Sequence, residues 1–150
     1  NLHKNGVQLH HLGTLDGLRP ATQSKLRGAI EVTRNNDRLV LNIAFNYGGR
    51  DEIVQAVRQI VRSGVPAEQV DETLISRYTY TGGIPDPDLL LRTSGEQRTS
   101  NFLPWQAVYA ELYFCGCHWP DFNREELRKA LWEFSRRQRR FGGTPSPAGH

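Results

Sequence analysis

The sequence predicts an α/β fold, with a mostly parallel central sheet flanked by helices. Three observations predict it. Residues 39–46 (LVLNIAFN) form an apolar run that breaks into Tyr47-Gly48-Gly49-Arg50 and then into a helical pattern over 51–61. Leu89-Leu90-Leu91 repeats the arrangement, ending in the polar, Gly-containing stretch 92–101. Strand-like and helix-like segments alternate along the chain, as parallel strands require, because each parallel neighbour needs a crossover connection.

In order, residues 7–13 mix apolar and polar side chains and end in glycine, which reads as a strand. His10 and His11 there are expected to be structural or exposed rather than catalytic. Pro20 opens a helix over 20–33, with Leu26, Ile30 and Ala29 toward one face, and Asn35-Asn36-Asp37 ends it. The strand 39–46 is apolar on both faces at period two, as a central strand would be. Gly48-Gly49 before the next helix suits either a tight turn needing positive φ or a phosphate cradle, the turn being favoured. Gly64-Val65-Pro66 marks a turn, residues 67–78 a helix, and 78–88 a long loop. Asp86 and Asp88, with a proline between them, read as turn and cap chemistry rather than a metal pair.

Residues 85–122 carry the chemistry. A short apolar run that delivers a polar loop at its carboxyl end places that loop where open α/β sheets bind ligands. Arg92 and Arg98 are permanently charged forks, Thr93, Ser94, Thr99 and Ser100 supply hydroxyl donors, and Gly95 lets backbone amides approach. That set suits a diphosphate. The competing reading is a surface loop whose arginines pair with Glu96 and a neighbour; placement after a buried strand favours the site. Beyond it, a short helix is expected over 102–110, interrupted near Pro104, then a strand over 111–114. Asn123 should cap a last helix with Glu126 at the capping-box position, and Leu127, Ala130, Leu131 and Phe134 line one face of it. Arg136, Arg137, Arg139 and Arg140 lie toward its carboxyl end, where positive charge complements the dipole.

Composition constrains the rest. The 150 residues, 37% hydrophobic and 23% charged, suffice for a domain with a real core. A net charge of +3 suits an anionic substrate, nucleic acid or an anionic surface alike. No apolar run approaches the length of a membrane span and no leader pattern is visible, so neither is expected. With no methionine and Asn1 first, the chain is expected to begin inside a longer protein. Cys115 and Cys117 are one residue apart, too close to staple a fold and without the partners of a zinc site. They are expected to be reduced cytosolic thiols.

The stretch RTSGEQRTSNFLPWQAVYAELYF, followed by WPDF and RRQRRFGG, resembles the carboxyl-terminal signature of the cis-prenyltransferases, the undecaprenyl diphosphate synthase family. NIAFNYGGRDEIVQAVR and LDGLRPATQSKLRGAIEVTRNN extend the resemblance over nearly the whole chain. Several long motifs in order are far more specific than a lone glycine pattern. The resemblance covers only the second half of such an enzyme. It implies that residues 1–143 are the carboxyl-terminal portion of one domain with an incomplete sheet, and that the catalytic aspartate lies in the absent half; residues 144–150 themselves read as a flexible tail.

The resemblance further implies condensation of isopentenyl diphosphate with an allylic diphosphate such as farnesyl diphosphate, with Mg²⁺ as cofactor, inside a fold enclosing a hydrophobic tunnel. Arg92, Arg98 and Ser100 carry over as the grip on the homoallylic diphosphate. Arg140 and Gly142 carry over as the terminal motif that reaches a partner's substrate, and Glu111 as a carboxylate that helps place magnesium or the homoallylic diphosphate, a role compatible with a salt bridge to Arg98. Glu96, Asn101 and Phe102 fall at a homodimer interface. The implied protein is cytoplasmic, able to sit at the membrane surface through its lipid product. The alternative is a non-catalytic partner subunit of a prenyltransferase complex, against which the intact RTSGEQR stands. A nucleic-acid role for the arginine-rich last helix is not expected.

Overall fold

The computed structural model describes residues 1–138, and the chain divides into two units, Asn1–Ile84 and a second from Pro85 onward. In the first, β1 (Val7–Leu12) and β2 (Leu39–Ala44) pair in parallel, from Val7 opposite Leu39 to Leu12 opposite Ala44. The crossover between them is α1 (Pro20–Thr33), opened by proline as expected. Val7 and Leu9 bury one side of β1, and Leu12 is buried at its end on the other. Thr33 ties the end of α1 to that strand: its Oγ1 donates to Ala29 O (2.8 Å) and accepts from Leu9 N (3.1 Å). Asn36 Nδ2 donates to Val7 O at 2.8 Å, so the helix exit is held where the strand begins. At the other end of β1, Gly13 has φ 124°, and an added Cβ would lie 2.6 Å from Phe45 O. Only glycine fits that approach. His11 Nε2 sits 2.7 Å from the Phe45 carbonyl, the structural role expected of it.

Helix α2 (Gly49–Arg62) follows β2 and buries Gly49, Glu52, Ala56 and Ile60, one helical face. Gly48 and Gly49 do not form the positive-φ turn expected: Gly48 is extended at φ −148°, and Gly49 is buried as the first residue of the helix. β2 also departs from expectation. Its apolar residues were read as the two buried faces of a central strand, yet Leu39, Val40 and Ile43 are 58%, 47% and 39% exposed, because β1 is its one paired neighbour among the described residues. The helix expected over 67–78 is split into a short 3₁₀ turn at Ala67–Gln69 and α3 (Glu72–Tyr78). Asp71 is the cause: its Oδ1 accepts from Leu74 N at 2.7 Å, and an N-cap must itself be extended.

In the second unit, β3 (Leu89–Arg92) and β4 (Glu111–Phe114) pair in parallel, with Leu89 opposite Glu111 and Arg92 opposite Phe114. The parallel sense is as expected, delivered among the described residues as two two-stranded pairs. The helix expected over 102–110 is absent; that segment is a chain of turns. Ser100, Asn101 and Leu103 take φ of 49°, 64° and 48°, a left-handed start from which an α-helix does not propagate, and Pro104 follows. A 3₁₀ turn, Trp119–Asp121, leads to α4 (Arg124–Ser135). Asn123 caps it as predicted, its Oδ1 accepting from Glu125 N (2.9 Å) and Glu126 N (3.2 Å). The Glu126 carboxylate pairs with Lys129 (2.7 Å). Ala130 is buried and Phe134 half-buried, whereas Leu127 and Leu131, expected inward, are 42% and 49% exposed. Asn123→Ala should cost about 1 kcal/mol through the lost cap; urea denaturation of the two chains measures it.

Cys115 and Cys117, expected as reduced thiols, are joined by a disulfide. The turn after β4 folds back through Gly116 and brings their Cα atoms to 5.6 Å, within the span that such a bond reaches. Arg140, Gly142 and the tail expected over 144–150 lie outside the described residues.

Candidate functional site

Arg92 is the last residue of β3, and the loop that follows is wound around its guanidinium. Nη1 donates to the backbone carbonyl of Arg98 (2.5 Å) and to Ser100 Oγ (2.8 Å), while Nη2 lies 3.8 Å from Glu96 Oε2. Arg98 contacts the same Glu96 oxygen. The ion pairs expected of an ordinary surface loop are thus present, and on a side chain 64% exposed, as Arg98 is, they stabilise the chain little. They do not account for the rest. A guanidinium that holds a carbonyl and a hydroxyl six and eight residues away sets the shape of the whole loop. Ser94, Ser100, Asn101 and Leu103 all take positive φ, conformations that cost about 1–3 kcal/mol each where a side chain is present and that cluster at binding sites.

The base of the loop is fixed by β4 and the turn after it. Cys115 N donates to Arg92 O (2.8 Å), Ser94 N to Cys117 O (2.7 Å) and Gly95 N to Cys115 O (2.9 Å). This corrects the expectation that glycine opens backbone amides to a ligand, because the amides of Ser94 and Gly95 already have acceptors. Glycine at 95 answers to its φ of 69°, and an added Cβ would meet nothing within 4 Å. Side chains supply the donors that converge on one cavity. Arg92, Arg98, Thr99 and Ser100, with Leu90 and Phe102, line a cavity of about 260 Å³. A larger, shallower depression runs along α4 beside Arg124, Arg128 and Trp132. The smaller cavity is the better site, since guanidinium and hydroxyl donors converge on it.

Glu111 opens β4, and its ion pair is made with Arg137 Nη1 (3.1 Å) rather than with Arg98; Arg137 also donates to Leu112 O at 2.7 Å. Arg137 had been read only as a complement to the helix dipole, and no sequence spacing announces a contact across 26 positions. His118, whose Nδ1 lies 3.4 Å from Ser94 Oγ, was likewise missed. Of the residues assigned to an interface, Glu96 is engaged by both arginines of its own loop, while Asn101 and Phe102 are exposed. Asp88, read as turn chemistry, offers its carbonyl to Glu111 N at 2.9 Å. Among the described residues, no helix is long and apolar enough to cross a membrane.

Known proteins are similar to this chain in sequence and fold. Residues 1–142 match the family profile described as "Putative undecaprenyl diphosphate synthase". The isoprenyl transferase of Clostridium tetani is 47% identical over 146 residues, covering 95% of this chain and 57% of its own length. The crystal structure of a probable undecaprenyl diphosphate synthase from Campylobacter jejuni superposes with a TM-score of 0.86 at 33% identity, over 95% of this chain and 66% of that one. Lavandulyl diphosphate synthase from Lavandula x intermedia, solved in complex with dimethylallyl diphosphate, gives 0.85 at 32% identity, over 91% and 60%. The chain spans less than two thirds of the length of the isoprenyl transferases it matches. With a profile matched from end to end of the described residues and the same α/β architecture in solved relatives, the chain belongs to the undecaprenyl diphosphate synthase family, the cis-prenyltransferases.

Proposed function

We propose that this chain carries the isopentenyl diphosphate grip of a cis-prenyltransferase. Such an enzyme joins isopentenyl diphosphate to an allylic diphosphate such as farnesyl diphosphate, giving a longer (Z)-polyprenyl diphosphate. The observation that carries the reading is the loop wound on Arg92, which presents Arg98 and Ser100 at one cavity. The names of the solved relatives, both diphosphate synthases, support the substrate class. On this reading residues 1–143 are the carboxyl-terminal portion of one domain and work with further chain, which also supplies the catalytic aspartate.

The allylic carbon–oxygen bond breaks, the isopentenyl double bond attacks that carbon, and loss of a proton leaves the new cis double bond. The loop's part is to hold the nucleophile in place, since a fixed anion clamp turns an encounter into an oriented reaction. Glu111 suits magnesium as a single carboxylate ligand: one of its oxygens is held by Arg137, which leaves the other, and Mg²⁺ takes one or two carboxylates and completes its shell with phosphate and water. When bound, the ion neutralises diphosphate charge. Arg137 would orient the carboxylate. On this reading Glu96, Asn101 and Phe102 would lie at a homodimer interface, and Arg140 and Gly142, outside the described residues, would belong to the motif that contacts the partner's substrate. The product lipid would bring a cytoplasmic protein to the membrane surface.

The direct test is incorporation of labelled isopentenyl diphosphate into lipid-extractable product, using the complete enzyme with farnesyl diphosphate and Mg²⁺. Arg98→Ala should lower kcat/KM for isopentenyl diphosphate by about 10- to 100-fold for each charged hydrogen bond it makes, at about 1.5–3 kcal/mol apiece. Near-normal kinetics in that variant would remove Arg98 from the grip, and no incorporation by the parent enzyme would remove the reading altogether.

A further inference from the structure

The turn that closes β4 holds chemistry that the prenyl-transfer reading does not use. The Cys115 and Cys117 sulfurs and a Glu126 carboxylate oxygen all lie within 4.8 Å of one another. Cys115 is buried, and Cys117 and Glu126 are half-buried, so the group is sheltered on one side and reachable from the other. Two cysteines alone were too few for a metal site. The fold supplies the third donor, because Asn123 starts α4 where Glu126, in its first turn, faces the Cys-Gly-Cys turn.

We propose that Cys115, Cys117 and Glu126, with the cysteines reduced, form a site for a thiophilic divalent cation of the zinc class. Two thiolates select soft or borderline cations over magnesium. Bonds of about 2.0–2.3 Å to sulfur and carboxylate oxygen set donors on a tetrahedral ion roughly 3.3–3.8 Å apart. The cluster's span of at most 4.8 Å is about 1 Å beyond that spacing, and the two sulfurs, bonded here, part on reduction to reach it. Three protein donors leave a fourth position for solvent. Lys129 competes for Glu126 at 2.7 Å, but it lies 3.8 Å from Glu125 and keeps that partner when the cation takes Glu126.

The bonded pair is the closed form of the site. Opening it takes two equivalents of a small thiol: the sulfur–sulfur bond breaks, the two cysteines gain two electrons and two protons, and the reductant leaves as its own disulfide. Binding then replaces both thiol protons by the metal, so each ion bound to the two thiols releases two protons.

The experiment uses the full chain, reduced and desalted without oxygen, and titrates Zn²⁺ against a chromogenic chelator. The expected result is one tightly bound Zn²⁺ per chain in the reduced form and none in the oxidised form. Co²⁺ should give the sulfur-to-metal charge-transfer absorption of thiolate ligation. Cys117→Ser should abolish both signals, and Glu126→Gln should weaken Zn²⁺ at least about tenfold, a change large enough to read as a lost ligand. Circular dichroism confirms that each variant is folded. No stoichiometric binding by the reduced chain, a pair that resists reduction, or Zn²⁺ binding that survives Cys117→Ser overturns the proposal. None of these readouts involves isopentenyl diphosphate, so the site stands or falls apart from the proposed activity.

Discussion

Arg92→Lys is expected to lower kcat/KM for isopentenyl diphosphate by about two to four orders of magnitude while keeping the positive charge. Arginine at this position works as a fork. One guanidinium nitrogen reaches both the Arg98 carbonyl and Ser100 Oγ, and the other faces Glu96. A lysine ammonium is a single point on a flexible stem and cannot meet all three at once. Losing two charge-assisted bonds at about 1.5–3 kcal/mol each accounts for the size of the effect, at about 1.4 kcal/mol per decade. Much of it should fall on KM, since Arg98 and Ser100 drift from the ligand together. Steady-state kinetics on the complete enzyme settle it, and a variant within a few-fold of the parent would show that charge alone suffices there.

Glu52→Ala should destabilise the first unit by about 3 kcal/mol. Glu52 is 1% exposed, and its two oxygens accept from Tyr47 Oη (2.6 Å) and from Tyr80 N (2.8 Å). One carboxylate on α2 thereby fastens the loop before that helix and the loop after α3. Removing it takes an acceptor from two half-buried donors, at about 1–3 kcal/mol each at most, and leaves a void in place of a buried side chain. At about 2–4 °C per kcal/mol for a chain of this size, the melting temperature should fall by roughly 6–12 °C. The Tyr80 hydroxyl lies in the same neighbourhood. Burial first, then the charges of Asp51, Glu52 and Asp16, raise its pKa above the ordinary 10.0, so it stays protonated. Calorimetry on the two chains reads the change, and an unchanged transition would mean that solvent replaces the lost acceptor.

Local signals were legible wherever a residue acts on its own neighbours. Pro20 at the start of α1, Asn123 capping α4, and the apolar run of β3 all announce themselves, because capping and burial depend on adjacent positions. Arg92, Arg98 and Ser100 were legible as a candidate site from residue type and placement after a strand. What could not be read was closure over distance. The Arg137–Glu111 pair, the approach of Glu126 to the two cysteines and the double use of Glu52 each depend on tertiary folding. The helix expected over 102–110 failed for a different reason: its composition permits a helix, and left-handed backbone at Ser100, Asn101 and Leu103 overrules it.

Of the five non-glycine residues with positive φ among the described residues, four fall between Ser94 and Leu103. A loop shaped from within by one guanidinium tolerates a change of letter better than a change of length. Substitution at the exposed Gln97 or Thr99 leaves the spacing between Arg92 and its two acceptors intact. One inserted residue moves both acceptors and resets every left-handed position after it. Divergence at this loop should therefore proceed by replacement and almost never by insertion or deletion, and libraries built to alter it should hold its residue count fixed.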